Sequence, residues 1–479
     1  MTQLATALSP VSATKPRNAG VIISALCFCG IVVALMQTLI VPLIPQLPTL
    51  LNTSASNASW AITATLLAGA VVTPVSGRLG DMLGKRRMLL ISMLSLIIGS
   101  LICALSASFP LVLTGRVLQG AAMGAIPLGI SILRDELPPE RVGSAMAIVS
   151  ATLGVGGAIG LPLAAVIAQG GSWQLLFWIS AALGLLSALA VIAVVPESPV
   201  HTKARFDFIG ALGLSLGLVA LLLAVSKGND WGWESATTLG MFAAAAVILV
   251  AWGFIELRTE APLVDLRVSA RRQVLFTNLA SVMVGFAMYG MSLTLPQLLM
   301  SPKATGYGLG LDMVHAGLTL APGGIIMMLL SPVSARISAR RGPRITLMIG
   351  AFVIAAGYCF ALLLSGGVWQ IMVAAMIISA GIGLAYASMP ALIMGAVPVG
   401  ETASANGLNT LMRSVGTSTS AAVMSVVLAS MTVSQGSASL PSHAAFQLTF
   451  VIGIAAAVLA VVLTAFIPRH TRFIPRHTY

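Results

Sequence analysis

The sequence predicts an all-α integral membrane protein: two six-helix bundles plus two inserted helices, fourteen transmembrane helices in all. Three observations predict it. Of 479 residues, 58% are hydrophobic and 8% charged, whereas a soluble domain carries about 25% charged residues. The apolar residues come in blocks of about 20, each long enough to cross a bilayer core. A faint internal repeat relates the first six blocks to the last six.

The elements follow in order. Residues 1–19 are polar, rich in Ser and Thr, and carry Lys15 and Arg17; they read as a cytoplasmic tail. Apolar blocks at roughly 20–43, 58–77, 88–107, 111–134, 142–168 and 174–195 form a first bundle within 20–200. The first block is too long for a signal-peptide core and lacks a cleavage site, so it reads as a retained helix. Blocks at 207–226 and 238–256 are the two additional helices of segment 201–272. Blocks at 274–299, 312–333, 345–365, 368–395, 404–431 and 445–467 form the second bundle, 273–467. A basic tail, 468–479, closes the chain, and within it Phe466–Thr471 recurs as Phe473–Thr478.

Charge sets the orientation. Lys and Arg of short loops stay on the cytoplasmic side. With fourteen spans and the N-terminus inside, 21 of the 25 cations fall on the inner side, and only Lys227 and Lys303 fall outside. Arg116 and Arg413 remain within helices. A miscounted helix would scramble this asymmetry. Both termini are therefore expected in the cytoplasm, with the chain in the plasma membrane. Trp60, Trp173, Trp231, Trp233 and Trp369 fall near the outer face, as an interfacial aromatic belt does. The net charge of +12 is an orientation signal; cations spread over many short loops exclude nucleic acid as a partner. Cys27, Cys29, Cys103 and Cys359 lie inside helices and read as small packing residues. No metal spacing, nucleotide-binding loop or catalytic cluster is present, so no cofactor and no enzyme activity are expected.

The repeat is consistent in order. PPERVGSAMAIVSATLGVG (138–156) aligns with PVGETASANGLNTLMRSVG (398–416) at an offset of 260. GRLGDMLGKRR (77–87) aligns with ARISARRGPR (335–344) at an offset of 258. Two similar bundles can rock about a site between them, which suits an alternating-access transporter.

GRLGDMLGKRR resembles the signature loop between helices 2 and 3 of the major facilitator superfamily, through Gly77, Leu79, Asp81, Gly84, Lys85 and Arg86. The resemblance implies that fold, and a conformational latch at Gly77, Asp81, Gly84, Lys85 and Arg86. The second-half copy has Ala335 and Ala339 where Gly77 and Asp81 stand. Arg116, Gln119 and Gly120 resemble the family's helix-4 motif. RFDFIGALGLSLGLVALLL (205–223), FIELRTEAPLVDLR (254–267) and SANGLNTLMRSVGTS (404–418) resemble the 14-helix drug:proton antiporter subfamily of multidrug exporters. The chain departs from the family twice. Thr38 and Pro45 match the helix-1 motif, but Met36 stands at its aspartate. Helix 5 reads GVGGAIGLPLAA (154–165), with Leu161 between Gly160 and Pro162.

All thirteen acids fall in loops or near helix ends. A proton antiporter needs a protonatable group reachable from both sides. The coupling candidates are Asp135 and Glu136 at the inner end of helix 4, with Asp312 and His315 at the outer end of helix 10; the alternative for each is a solvated helix end. A second alternative is transport not coupled to protons. Arg116 has three competing uses: bridging helices, tuning a proton path, or meeting an anionic group of the substrate. The same alternatives hold for Arg413. The expected substrate cavity is lined by Met36, Gln37, Thr38, Arg116, Gln119, Asn278, Met288, Tyr289, Gln297, Tyr386, Asn406, Asn409 and Arg413, each with core packing or an interhelical hydrogen bond as its alternative. Pro42, Pro45, Pro127, Pro162 and Pro296 are expected flex points. The leading expectation is a monomeric secondary exporter of small amphiphilic or drug-like molecules, coupled to protons. The competing one is a carrier of anionic metabolites using the buried arginines.

Overall fold

The computed structural model describes residues 19–40, 43, 46–170, 172–198, 205–435 and 438–468. Lys15, Arg17, Pro42, Pro45 and the recurring Phe473–Thr478 lie outside the described residues. Among the described residues, fourteen helices are long and apolar enough to cross a membrane. They are α1 (Ala19–Thr38), α2 (Ala55–Leu83), α3 (Lys85–Leu105), α4 (Phe109–Glu136), α5 (Pro139–Gly170), α6 (Gln174–Val194), α7 (Phe208–Trp231), α8 (Ala236–Arg258), α9 (Arg272–Met300), α10 (Met313–Arg341), α11 (Pro343–Leu363), α12 (Val368–Met394), α13 (Thr402–Ser430) and α14 (His443–Ala465).

Several boundaries differ from expectation. Helix α1 ends at Thr38 rather than at 43; the sequence supplies Pro42 just beyond, and the residue before a proline disfavours helical geometry. Helices α2 and α10 run past their apolar blocks, to Leu83 and Arg341. Residues 77–83 are therefore helix, not loop, and the connection from α2 to α3 is Gly84 alone, at φ 111°. The chain turns there because only glycine adopts that backbone cheaply. Gly342 does the same between α10 and α11, at φ 90°. It stands 258 residues beyond Gly84, the offset of the sequence repeat. The likeness extends to the arginine two residues on. Arg86 Nη2 donates to Ile192 O at the C-terminal turn of α6 (2.8 Å). Arg344 Nη2 donates to Ala465 O at that of α14 (2.7 Å). Each arginine answers carbonyls that a helix end leaves unpaired.

Helix α4 is interrupted by a 3-10 turn at Ala122–Gly124, which the apolar pattern does not reveal. A Cβ on Gly120 would strike Thr65 O, and one on Gly124 would strike the Ser76 side chain, so α2 crosses α4 at contact distance. A short antiparallel hairpin between α13 and α14, β1 (Thr432–Gln435) and β2 (Ala438–Pro441), adds to the all-α expectation.

Helices α1–α6 pack as one bundle: α1 lies on α5, α3 on α6, and both α2 and α3 on α4. Helices α9–α14 form the other: α11 lies on α12 and α14, and α9 on α12, α13 and α14. The bundles meet along two seams, α5 with α10 and α2 with α13. Small residues let the backbones approach at both: Gly317 faces Pro162, Gly407 faces the Thr73–Pro74 backbone, and Gly77 faces the Ala403 carbonyl. Helices α7 and α8 pack on one another, and α7 covers the α2/α13 seam. Leu214, Leu218 and Leu222 of α7 share a buried cluster there with Ala70, Leu411, Leu263 and Val264.

Gly342→Ala is expected to lower stability by about 1–3 kcal/mol through backbone strain alone, because nothing lies within 4 Å of the added methyl. Gly143→Ala, in open space inside α5, is expected to stabilise by up to about 1 kcal/mol. Thermal unfolding of the detergent-solubilised variants compares the two.

Candidate functional site

Three groups of polar side chains are enclosed by this packing. The first sits at the end of the molecule where the basic helix termini gather. Asp81, in the last turn of α2 and 1% exposed, accepts the Ala403 and Ser404 amides at 3.2 and 2.8 Å. These are unpaired donors of the first turn of α13, where a negative charge is also favoured by the helix dipole. Lys85, the first residue of α3, reaches Asp135 Oδ2 at 2.5 Å and Asp81 at 3.8 Å with its side chain fully enclosed. It also donates to Thr402 Oγ1 (3.2 Å). Asp135 accepts Ser198 Oγ at 2.6 Å. Arg86 ties the same corner to Glu197 through its backbone N–H (3.2 Å). The result is a clasp: a carboxylate and an ammonium of the first bundle hold the start of α13 in the second. Gly77 and Gly80 permit it, because a Cβ on Gly77 would strike Ala403 O and one on Gly80 would strike Leu128.

The second group lies inside the first bundle. Arg116, 1% exposed, donates Nε to Ala61 O (2.9 Å) and Nη1 to Gln119 Oε1 (2.7 Å), with Met36 Sδ at 3.7 Å. Gln119 in turn donates to Ser100 Oγ at 2.7 Å. One guanidinium thus connects α1, α2 and α4, and through Gln119 also α3. Of the three competing uses of Arg116, the helix bridge is the one these contacts make.

The third group lies inside the second bundle. Asn409 Nδ2 donates to Asn278 Oδ1 (2.9 Å) and Ser281 Oγ (2.7 Å), and Ser281 reaches Met389 Sδ at 3.1 Å. One turn further along α13, Arg413 lies over the Tyr386 ring, 4.6 Å from its centroid, as a cation seeks an aromatic face. The Tyr386 hydroxyl donates to Met288 Sδ at 3.3 Å. Among the described residues, the hydrogen bond that Arg413 makes is a long one, to Thr410 Oγ1 (3.4 Å).

The expected cavity residues are therefore divided. Met36, Arg116 and Gln119 come together in one bundle; Asn278, Met288, Tyr386, Asn409 and Arg413 come together in the other. Arg116 lies about 10 Å from the start of α4 and Arg413 about 17 Å from the start of α13, at 1.5 Å per residue. Those two starts are at opposite ends of the molecule, so the arginines occupy different depths. Gln37, Thr38 and Asn406 bond back to their own helices, at Val33 O, Leu35 O and Thr402 O. Tyr289 and Gln297 are half-buried on α9 and join neither group.

Among the coupling candidates, Asp135 lies in the clasp and Glu136 is its neighbour at the end of α4. Asp312 and His315 are exposed, 57% and 68%, and form the N-cap of α10. Asp312 Oδ1 accepts the His315 amide at 2.8 Å and contacts its ring at 2.8 Å. That amide, and then the ring, hold the Asp312 carboxyl below the usual carboxylate range. The cap is therefore intact at neutral pH and is lost only as pH falls through that lowered value.

Sequence reasoning missed Thr402, Ala403 and Ser404 as partners of Asp81, and Ser100, Ser281 and Met389 as cluster members. Their partners lie tens to hundreds of positions away, and no local spacing marks them. A cavity of about 940 Å³ also lies at the basic end, with Arg78, Asp207, Leu263, Glu401 and Ser404 among its lining residues.

The profile of the Major Facilitator Superfamily matches residues 26–421. An uncharacterised MFS-type transporter of Mycobacterium tuberculosis is 31% identical over 330 residues, 68% of this chain but only 47% of that protein. The chain thus spans about half the length of that relative. A multidrug resistance protein B homolog of the same organism is 30% identical over 384 residues, 77% of this chain and 69% of that one. Among solved structures, the human organic anion transporter MFSD10 superposes with a TM-score of 0.66 at 15% identity, covering 93% of this chain and 99% of that one. At that identity the likeness is one of fold.

Gln119→Ala is expected to cost about 1.5–3 kcal/mol, the range for a hydrogen bond to a charged group, because it leaves Arg116 Nη1 facing Met36 alone. Arg116→Lys is expected to cost as much, since one ammonium cannot span Ala61 O and Gln119 Oε1 together. Thermal unfolding in detergent measures both.

Proposed function

The chain belongs to the major facilitator superfamily, a multi-pass membrane transporter and not an enzyme, and from that premise we propose that it exports small amphiphilic or drug-like molecules by alternating access, driven by proton antiport. The basic end faces the cytoplasm, both termini lie there, and the membrane is the plasma membrane. One chain holds both bundles of the transport path, so a monomer suffices.

The clasp is the observation that carries this reading. A rocking transporter needs a contact between its bundles that is strong on one face and can be broken. Asp81 against the first amides of α13 is such a contact, and Gly77, Gly84, Lys85 and Arg86 position it. Closure of the cytoplasmic face leaves release to the other side. The relative named a multidrug resistance protein supports the substrate class. The contacts of Tyr386 agree with it: Met288 offers a polarizable partner and Arg413 a polar one.

Arg413 favours a second reading. It is the buried guanidinium left with an aromatic face and one long hydrogen bond, so it is the group an anionic substrate would meet. Arg116 already commits its Nε and Nη1 to Ala61 O and Gln119 Oε1, so it is less available to a substrate.

Purified protein in proteoliposomes, with and without an imposed pH gradient, tests the proposal over neutral, cationic and anionic compounds. Transport that rises with an inward proton gradient is expected. Indifference to the gradient would remove antiport. Asp81→Asn keeps one acceptor and loses the charge; the closed face is expected to weaken by about 1.5–3 kcal/mol, and transport to fall about tenfold or more. Arg413→Gln is expected to reduce all substrates alike; loss confined to acidic ones would establish the anion carrier instead.

A further inference from the structure

The inserted helices carry a second pair of acids that the clasp does not use. Asp207 is the N-cap of α7, and its Oδ1 accepts the Gly210 amide at 2.7 Å. Glu256, in the last turn of α8 and 2% exposed, accepts the Val264 amide on Oε1 at 2.7 Å. Their other oxygens, Asp207 Oδ2 and Glu256 Oε2, are buried with no hydrogen-bond donor. Both crowd the α-carbon of Gly210, where an added Cβ would strike Asp207 Oδ2 and lie 2.6 Å from Glu256 Oε2, so the two carboxyl groups are neighbours. Two buried carboxyl oxygens are neighbours, neither with a hydrogen-bond donor, and a proton between them relieves the repulsion.

Among the described residues, no Lys or Arg nitrogen pairs with either carboxyl, and no third His, Cys, Asp or Glu joins them to make a metal site. Arg78 from α2, Arg205 ahead of α7, Glu260 and Asp265 after α8, and Glu401 ahead of α13 face the adjoining cavity. Asp207 lines that cavity too, so a proton can reach the pair from water.

The pair is wired to the clasp. Residues 259–265 form a strap from α8, and its Leu263 and Val264 are buried between α2, α7 and α13. Glu256 holds the Val264 amide; Leu263 O accepts Ser404 Oγ at 3.3 Å; the Ser404 amide donates to Asp81 at 2.8 Å. We propose that Asp207 and Glu256 share one proton, and that this proton fastens the strap and with it the closed clasp. Loss of the proton to water leaves two carboxylates in contact. Their repulsion frees Glu256 from Val264, and the strap loosens its hold on the start of α13. The inserted pair is then a proton-responsive fastener on the two-bundle machine. For the clasp it rests on the alternating-access reading; for the proton it does not.

Infrared difference spectroscopy across a pH titration of the purified protein tests the proton, and spin labels at Glu260→Cys and Gln273→Cys, with the native cysteines replaced, report the strap by distance. A protonated-carboxyl band that vanishes in Glu256→Gln is expected. The label distance should lengthen as pH rises in the parent protein. It should stay short at every pH in Glu256→Gln and in Asp207→Asn, whose amides donate permanently to the remaining carboxylate. A band that survives in both variants, a distance indifferent to pH in the parent, or a distance set by sodium or calcium at constant pH would each overturn the proposal. Neither measurement needs substrate or vesicles, so failure of transport in proteoliposomes leaves both readouts standing.

Discussion

A charge held among apolar helices must find its answer within hydrogen-bond reach, because no water is there to supply one. Scales of membrane insertion place the cost of an arginine at a helix centre at about 2.5–3.5 kcal/mol. Three of the buried cations meet the constraint differently. Arg116 takes a carbonyl and an amide oxygen, Lys85 takes two carboxylates, and Arg413 takes an aromatic face. Apart from Gln119, which shares α4 with Arg116, the answers come from other helices, and these contacts bear on the spacing and rotation of the neighbours. The bundles are specified by these few contacts. The leucines and alanines around them fill space but read the same from many angles.

Close approach is the second requirement, and glycine meets it. The carboxylate of Asp81 reaches the amides of α13 only because Gly77 brings the two backbones together. The closest approaches between the bundles are therefore made by small residues and backbone, with large apolar side chains such as Leu411 and Met327 packed beside them. The inserted pair α7/α8 lies along one seam without bridging the other. It leaves the two-bundle plan intact and adds a strap to one face of it.

Fourteen spans and their ends to within several residues were legible in the sequence because length and hydropathy are local properties. The extension of α2 to Leu83 was not. Its last turn is polar, and what stabilises it is the start of α13, more than 300 positions away. The 3-10 turn in α4 escaped for a like reason, since Gly120 and Gly124 look ordinary until α2 crosses them. Arg116 and Gln119 were brought together by their resemblance to a family motif, and they stand three residues apart on one helical face. Asn278 and Asn409 were singled out as polar residues within spans, but their mutual bond depends on how α9 meets α13. Asp207 and Glu256 were read only as acids near helix ends. A charge count along the chain cannot show that two such ends come together.

The glycine joints at 84 and 342 are copies, yet only the first sits beside an acid; Ala339 occupies the matching place in the second. The hinge was kept in duplicate while the catch survives once. A molecule built this way has no spare: damage at a single side chain on one half cannot be compensated by its twin, and the symmetry visible in the backbone ends where the chemistry begins.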